Sequence, residues 1–294
     1  MKVGAGSVMH DLLNAGFDAV YDDPAYKAAK AIYDGACWAN DIDAVRGDDF
    51  LFHRSLRYAE NHDEVRLAGD SQWGGVGMLV GRSVTALLFG IGRGPVLIYS
   101  GQEVGEPARG VAGFGGGNAR TTIFDYWSMP ELAKWVNEHR YDGARLSTEQ
   151  RELRKFYARL LTVIGEPAFR DGEFFALNPA NIWNARFGRM AGENASGHWL
   201  YAYLRFDAGS GQRICIIVNL HPSLSLRNVD ISLPPEAVAF LKIPRGGYVE
   251  LHERLALHAS PVTASEIGEE GGMHLSVEHL PPLTANFLEL RLHK

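Results

Sequence analysis

Between Glu60 and Arg66 the chain reads Glu-Asn-His-Asp-Glu-Val-Arg. Four ionisable side chains and one amide fill the positions from Glu60 to Glu64. Such a cluster can move protons or stabilise charge that develops during a reaction. A solvated connection between a strand and a helix has a similar composition. The adjacent His62 and Asp63 do not close a metal site, and no third ligand is evident, so acid/base or transition-state chemistry is expected rather than a metal. A second polar stretch, Ser100-Gly101-Gln102-Glu103, follows an apolar run. Glu103 stands there as Asp63 does in the first stretch. It either takes part in the chemistry or pairs with an arginine to hold its loop. The aromatics Trp73, Phe114, Tyr126 and Trp127 lie in or near the two polar stretches. They can present flat apolar faces to a sugar ring or form the local core of a long loop.

These stretches need elements to position them. Phe17 to Tyr21 and Phe52 to Ala59 read as strands, and Val96 to Tyr99 reads as a short buried parallel strand. Asp23-Pro24 supplies an N-cap and a first-turn proline for a helix over Ala25 to Trp38. Val76, Leu79, Val80, Val84, Leu87, Leu88 and Ile91 recur at helical spacing and mark a largely buried helix. The pattern is β-α-β-α-β, with parallel strands and helical crossovers. Each polar stretch then falls at the C-terminal end of a strand, where an α/β barrel carries its chemistry. A long polar loop runs from Gly101 to Leu146 and includes a short helix over Pro130 to Asn137. A loop of that length is usually functional. Ser147 and Gln150 form a capping box for a helix reaching about Ile164.

After Gly172 the runs become β-type: Trp199 to Phe206, Arg213 to Leu220, Val229 to Leu233, Tyr248 to His252, His274 to Val277 and Asn286 to Leu290. Turn formers separate them, which predicts an antiparallel sandwich. The division is placed at 171/172, with an α/β part over residues 1–171 and an all-β part over 172–294.

Composition narrows the function. The chain has 294 residues, 46% of them hydrophobic and 22% charged, as in a globular protein with a substantial core. A net charge of -6 gives no electrostatic reason to expect nucleic acid or a membrane surface as partner. No apolar run approaches the ~20 residues of a membrane span, and the first residues lack the apolar core of a signal peptide. Cys37 and Cys215 are far apart and in no metal spacing, so two free thiols and a cytoplasmic setting are expected. Gly90 to Gly94 runs from helix into strand, the reverse of a dinucleotide fingerprint. Gly113 to Gly117 lacks the Lys-Ser/Thr of a phosphate loop, so no nucleotide is expected.

Tyr58-Ala59-Glu60-Asn61-His62-Asp63 resembles the fourth signature region of the alpha-amylase family, glycoside hydrolase family 13, which reads Phe-x-x-Asn-His-Asp at the end of the seventh barrel strand. Gly94-Pro95-Val96-Leu97-Ile98-Tyr99-Ser100-Gly101-Gln102-Glu103 is similar to the family's eighth strand, Pro-x-x-x-Tyr-x-Gly-x-Glu. Gly16-Phe17-Asp18 looks like its strand-six motif. Tyr58 stands where the family usually has Phe. The resemblance implies strands six to eight of a (β/α)8 TIM barrel followed by a β-sandwich domain. It also implies hydrolysis or transfer of α-glucosidic bonds with retention, on an α-glucan or maltooligosaccharide. In such enzymes one carboxylate attacks the anomeric carbon and a second acts as acid and then base. By resemblance Asp63 is the third carboxylate, which supports oxocarbenium-like charge, and His62 is its partner. Asn61, Arg66, Glu103, Tyr126 and Trp127 become candidates for contact with substrate.

The family's first three signature regions, which carry the nucleophile and the acid/base, have no counterpart here. Met1 to His10 contains no acidic residue, and Asp11 lies too close to the strand-six motif to serve as the acid. The chain is therefore expected to be inactive on its own and to need the missing barrel strands in cis or in trans. No cofactor is expected; the calcium common in the family belongs mostly to the missing part, so no ligands are assigned. The alternatives from other classes are a non-catalytic glycan-binding protein and an interaction module that completes its barrel with another chain.

Overall fold

A computed structural model describes residues 6–109, 120, 129–255 and 261–292. In chain order its elements begin with α1 (Gly6–Asn14), β1 (Val20–Tyr21), α2 (Asp23–Tyr33), α3 (Ile42–Val45), α4 (Asp49–Arg54) and β2 (Ser55–Tyr58). There follow α5 (Val80–Gly90), β3 (Val96–Leu97), α6 (Pro130–Val136), α7 (Thr148–Ile164), α8 (Pro167–Arg170), β4 (Glu173–Ala176) and α9 (Asn178–Asn181). The remaining elements are β5 (Leu200–Phe206), β6 (Arg213–Asn219), β7 (Leu226–Leu233), α10 (Pro235–Phe240), β8 (Val249–Glu253), β9 (Val262–Ala264), β10 (Met273–Leu280) and β11 (Thr284–Leu292). The chain is a mixed α/β protein with several sheets.

The first three strands form one parallel sheet in the order β1-β2-β3. All three are shorter than the apolar runs that predicted them. Phe52 to Arg54, expected in a strand, is the end of α4 instead. The Asp48 side chain accepts from the Leu51 amide at 3.0 Å, which commits the chain to a helical turn before β2 begins. Phe52 is then buried with the Arg46 guanidinium 5.2 Å from its ring centroid and that of Arg205 at 5.1 Å. The cap of α2 is Asp22 rather than Asp23: its Oδ1 accepts from the Ala25 amide at 3.1 Å, and Asp23 and Pro24 are the first helical residues. The helix stops at Tyr33, five residues before the expected end at Trp38. The capping box of α7 is present, with Ser147 Oγ accepting from the Gln150 amide at 3.1 Å and Gln150 Oε1 from the Ser147 amide at 3.0 Å.

The later strands form a five-stranded sheet, β4-β5-β6-β11-β8, and a three-stranded sheet, β7-β10-β9, each antiparallel throughout. Asp207 closes the β5–β6 turn by accepting from the amides of Gly209 at 3.2 Å and Ser210 at 2.7 Å. β4 and β9 were not anticipated from the sequence.

Alternation along the strands of the larger sheet sends side chains into two cores. Leu200, Ala202, Leu204, Cys215, Ile217, Leu288 and Leu290 share one with Val229, Ile231, Leu275 and Val277 of the smaller sheet. Tyr201, Tyr203, Ile214, Ile216, Val218 and Phe287 share the other with Val84, Leu87 and Leu88 of α5 and Leu160 and Val163 of α7. All seven residues of β5 are buried for this reason. The second core thus runs across the 171/172 division. It also continues through Tyr58 and Ala59 to Tyr26 and Ile32 of α2.

Candidate active site

Parallel pairing puts the C-terminal ends of β1, β2 and β3 at one end of their sheet. Val20 and Tyr21 lie opposite Ser55 and Leu56, and Arg57 and Tyr58 lie opposite Val96 and Leu97. The segments that leave this end are Asp22-Asp23, Glu60 to Arg66, and Tyr99 to Glu103. Asp63 and Glu103 therefore belong to loops on one rim, as predicted.

The His62–Asp63 tip is built by its neighbours. Asn61 Oδ1 accepts from the backbone amides of Asp63 at 2.8 Å and Glu64 at 3.1 Å. This turn lifts the next two side chains toward solvent: those of His62 and Asp63 are 42% and 50% exposed, with Nε2 and Oδ2 3.4 Å apart. Asn61 itself is buried, and its Nδ2 finds no hydrogen-bond partner among the described residues.

The loop closes on a buried ion pair. Arg66 Nη1 donates to Glu60 Oε1 at 2.7 Å, with the two side chains 0% and 1% exposed. The other Glu60 oxygen accepts from the Leu67 amide at 2.6 Å. The second arm of Arg66 donates to the Ser100 carbonyl at 2.9 Å and lies 3.5 Å from the Met129 sulfur. The Arg66 guanidinium also sits 4.2 Å from the centroid of the Tyr99 ring. Burial raises the Glu60 carboxyl against the pull of Arg66, and the negative Glu103 nearby adds to the rise. So a glutamate held by an arginine does exist at this rim, but it is Glu60, while Glu103 is half-buried. Asn61 and Arg66, expected to contact substrate, are turned inward in this arrangement.

At the tip of β3, Gly101 takes φ +90°, and a Cβ there would stand 2.8 Å from Glu106 Cβ. Only glycine suits that bend. Gln102 then turns inward, accepting from the Tyr99 amide at 3.1 Å and donating to the Tyr157 hydroxyl at 3.1 Å. Trp73 is core rather than cleft: it is 0% exposed, with Tyr26 and Tyr33 meeting it edge-on at 5.7 and 5.9 Å. Phe114, Tyr126 and Trp127, and the Gly113–Gly117 run, lie outside the described residues.

The sequence reading missed the part played by Asp23. It is buried at the tip of β1 and accepts a hydrogen bond from the Tyr58 hydroxyl. Tyr58, where the signature region it resembles usually has Phe, was the available signal. Among the described residues no group of three His, Cys, Asp or Glu side chains could hold a metal ion, and no helix is long and apolar enough to cross a membrane.

No family model and no curated protein sequence matches the chain. Solved structures do. A noncanonic maltogenic alpha-amylase from Thermotoga neapolitana matches 99% of this chain and 54% of its own, with 15% identity and a TM-score of 0.53. A gamma-CGTase from alkalophilic Bacillus clarkii matches 99% of this chain and 34% of its own, with 14% identity and a TM-score of 0.57. The chain thus spans about half or less of the enzymes it resembles. Its fold is that of the C-terminal region of alpha-amylase-type enzymes.

Proposed function

We propose that this chain is part of an alpha-amylase-type glycoside hydrolase or transglycosidase that acts with retention on α-glucosidic bonds of α-glucans. The observation that carries the reading is the Asn61-His62-Asp63 turn at the C-terminal tip of β2, with His62 and Asp63 solvent-facing, beside the Gly101-Gln102-Glu103 tip of β3. That placement supports the likeness to the fourth signature region and the eighth strand. The parallel sheet is read as strands six to eight of a barrel over residues 1–171, and the two antiparallel sheets as a β-sandwich over residues 172–294. Asp63, aided by His62, supports positive charge at the anomeric carbon. An anion placed there stabilises the transition state more than the ground state. Glu103, Tyr126 and Trp127 contact the glucan. The nucleophile and the acid/base come from further barrel strands, joined in cis or supplied in trans, and the present chain alone performs no turnover. A cytoplasmic setting suits its two free thiols.

Where the reading frame continues upstream of Met1, the test joins this chain to the segment encoded there and assays maltoheptaose cleavage. The expected result is turnover by the joined protein and none by the chain alone. Asp63→Asn in the joined protein lowers kcat by roughly 10²–10³-fold with little change in KM, the mark of an interaction made in the transition state. Full activity of that variant overturns the role of Asp63. An upstream region that encodes no such strands favours the non-catalytic glycan-binding reading.

A further inference from the structure

We propose that Glu60 and Arg66 are a positioning pair, which sets the His62–Asp63 tip on the loop after β2 and ties that loop to the tip of β3. The inference rests on the reading of Asp63 given above, and it concerns residues whose side chains are turned away from solvent. Four observations carry it. The pair closes a seven-residue loop at its base, since Glu60 Oε1 and Arg66 Nη1 are 2.7 Å apart. Both side chains are withdrawn from water, at 1% and 0% exposed, so the geometry is not averaged by solvent. Glu60 holds the exit of the loop through the Leu67 amide. Arg66 reaches across to the neighbouring loop through the Ser100 carbonyl and the face of Tyr99. Inside the closed base, Asn61 has only to turn the chain once to present Asp63.

The energetics favour positioning over stability as the use of this pair. Replacing a buried ion pair with neutral groups of similar shape is often neutral or even stabilising, whereas deleting one partner leaves a stranded charge. A pair of this kind fixes geometry. Geometry is what a charge-supporting carboxylate needs, because a displacement of about 1 Å can cost on the order of 10² in rate. A site held by a buried, fully bonded supporting layer keeps its geometry.

The experiment uses the 294-residue chain and two variants. Glu60→Gln/Arg66→Met removes both charges together, so neither is left unpaired in the core. Arg66→Lys keeps a charge for Glu60 but cannot reach the Ser100 carbonyl at the same time. Amide hydrogen exchange is measured at Asp63 and Glu64, the donors to Asn61, and at Ile216 and Val218 in β6 as a reference. The double variant is expected to exchange at least tenfold faster at Asp63 and Glu64, with the β6 amides unchanged. Arg66→Lys is expected to give an intermediate increase. A purely structural role would move all these amides together or none. Wild-type protection at Asp63 and Glu64 in whichever variant folds overturns the proposal, as does a uniform change across both regions. Maltoheptaose binding by wild type and by Asp63→Asn is measured in parallel. If neither binds, this part of the cleft does not hold the glucan alone, and the exchange data still judge the pair. If wild type binds, the double variant should bind at least tenfold more weakly, and unchanged affinity overturns the proposal.

Discussion

The Tyr58 hydroxyl donates to Asp23 Oδ1, joining the last residue of β2 to the first residue of α2 with both side chains buried. The aspartate has little other charge to answer it: Lys27 Nζ is 3.9 Å from Oδ2 and more than half exposed. Tyr58→Phe keeps the ring in its stack with Tyr26, 5.2 Å between centroids, and removes only the donor. Stability should fall by about 1–3 kcal/mol, the cost of leaving a buried acceptor unmade. Adding Asp23→Asn should cost less than the sum of the single changes, because the two groups share one bond. Urea unfolding midpoints of the three variants check this.

That relationship shows how far the sequence could be read. The polar rim was legible because each polar stretch directly follows a run that reads as a strand. The later strands were legible because hydrophobic alternation and turn formers mark them. What stayed hidden depends on long-range partners. Glu60 looked like one more charge of the cluster, and nothing local says that it pairs inward with Arg66. Trp73 could have lined a cleft; only the rings of Tyr26 and Tyr33 against it make it core. Phe52-His53-Arg54 has strand-like residues, yet the Asp48 cap made a helix of it. β9 has three residues after Pro261, too few for a period to register.

Thiol chemistry should divide the two cysteines. Cys215 is fully buried in β6, and burial pushes its thiol well above the ordinary range. Cys37 is half-buried in the turn after α2. The thiolate is the reactive form, so a neutral buried thiol is inert. A thiol reagent at pH 8 should modify one cysteine per native chain, at Cys37, and the second only in denaturant. Peptide mapping of the modified protein decides it; rapid native labelling of Cys215 would contradict the packing of β6.

The bridge from Arg254 to Glu166 and Glu289 should appear in the acid limb of stability. Arg254 Nη1 lies 2.7 Å from Glu289 Oε2, and its other arm holds Glu166, beyond the end of α7. Burial works to raise the Glu289 carboxyl, but the bonds from Arg291 and Arg254 outweigh it and hold the group below its ordinary value of 4.5. A carboxylate lowered in the folded state contributes stability that is present above the unfolded pKa and lost as pH falls through the folded one. Glu289→Gln should therefore lower Tm at pH 7, and the gap to wild type should narrow as pH drops below about 4, near the unfolded glutamate value. Melting curves at pH 7, 5 and 3 measure it. A gap that stays constant would mean that the charge of Glu289 contributes nothing.

The five-stranded sheet has no face to spare. One side meets the smaller sheet, and the other meets α5 and α7 through Tyr201, Tyr203, Ile216 and Phe287. Phe287 is fully buried, its ring centroid 5.6 Å from that of Phe169 in α8. Phe287→Ala should cost about 3–5 kcal/mol as a large-to-small core change. A cavity placed in this shared core should also be felt on both sides of the 171/172 division. Two probes separate the halves: amide protection in α5, at Leu87 and Leu88, reports on the first, and amide protection in the smaller sheet, at Ile231 and Leu275, reports on the second. In Phe287→Ala both should lose protection at the same denaturant concentration, since coincident transitions mark one cooperative unit. Residues 172–294 expressed alone would lay that apolar sheet face open to water, and exposed faces of that kind recruit other chains. Sedimentation should find this piece associated rather than monomeric. A monomeric piece with a sharp melt of its own, together with amide protection in α5 unaffected by Phe287→Ala, would show that the sheet needs neither α5 nor α7, and that the core shared across the division binds the halves without making them fold as one.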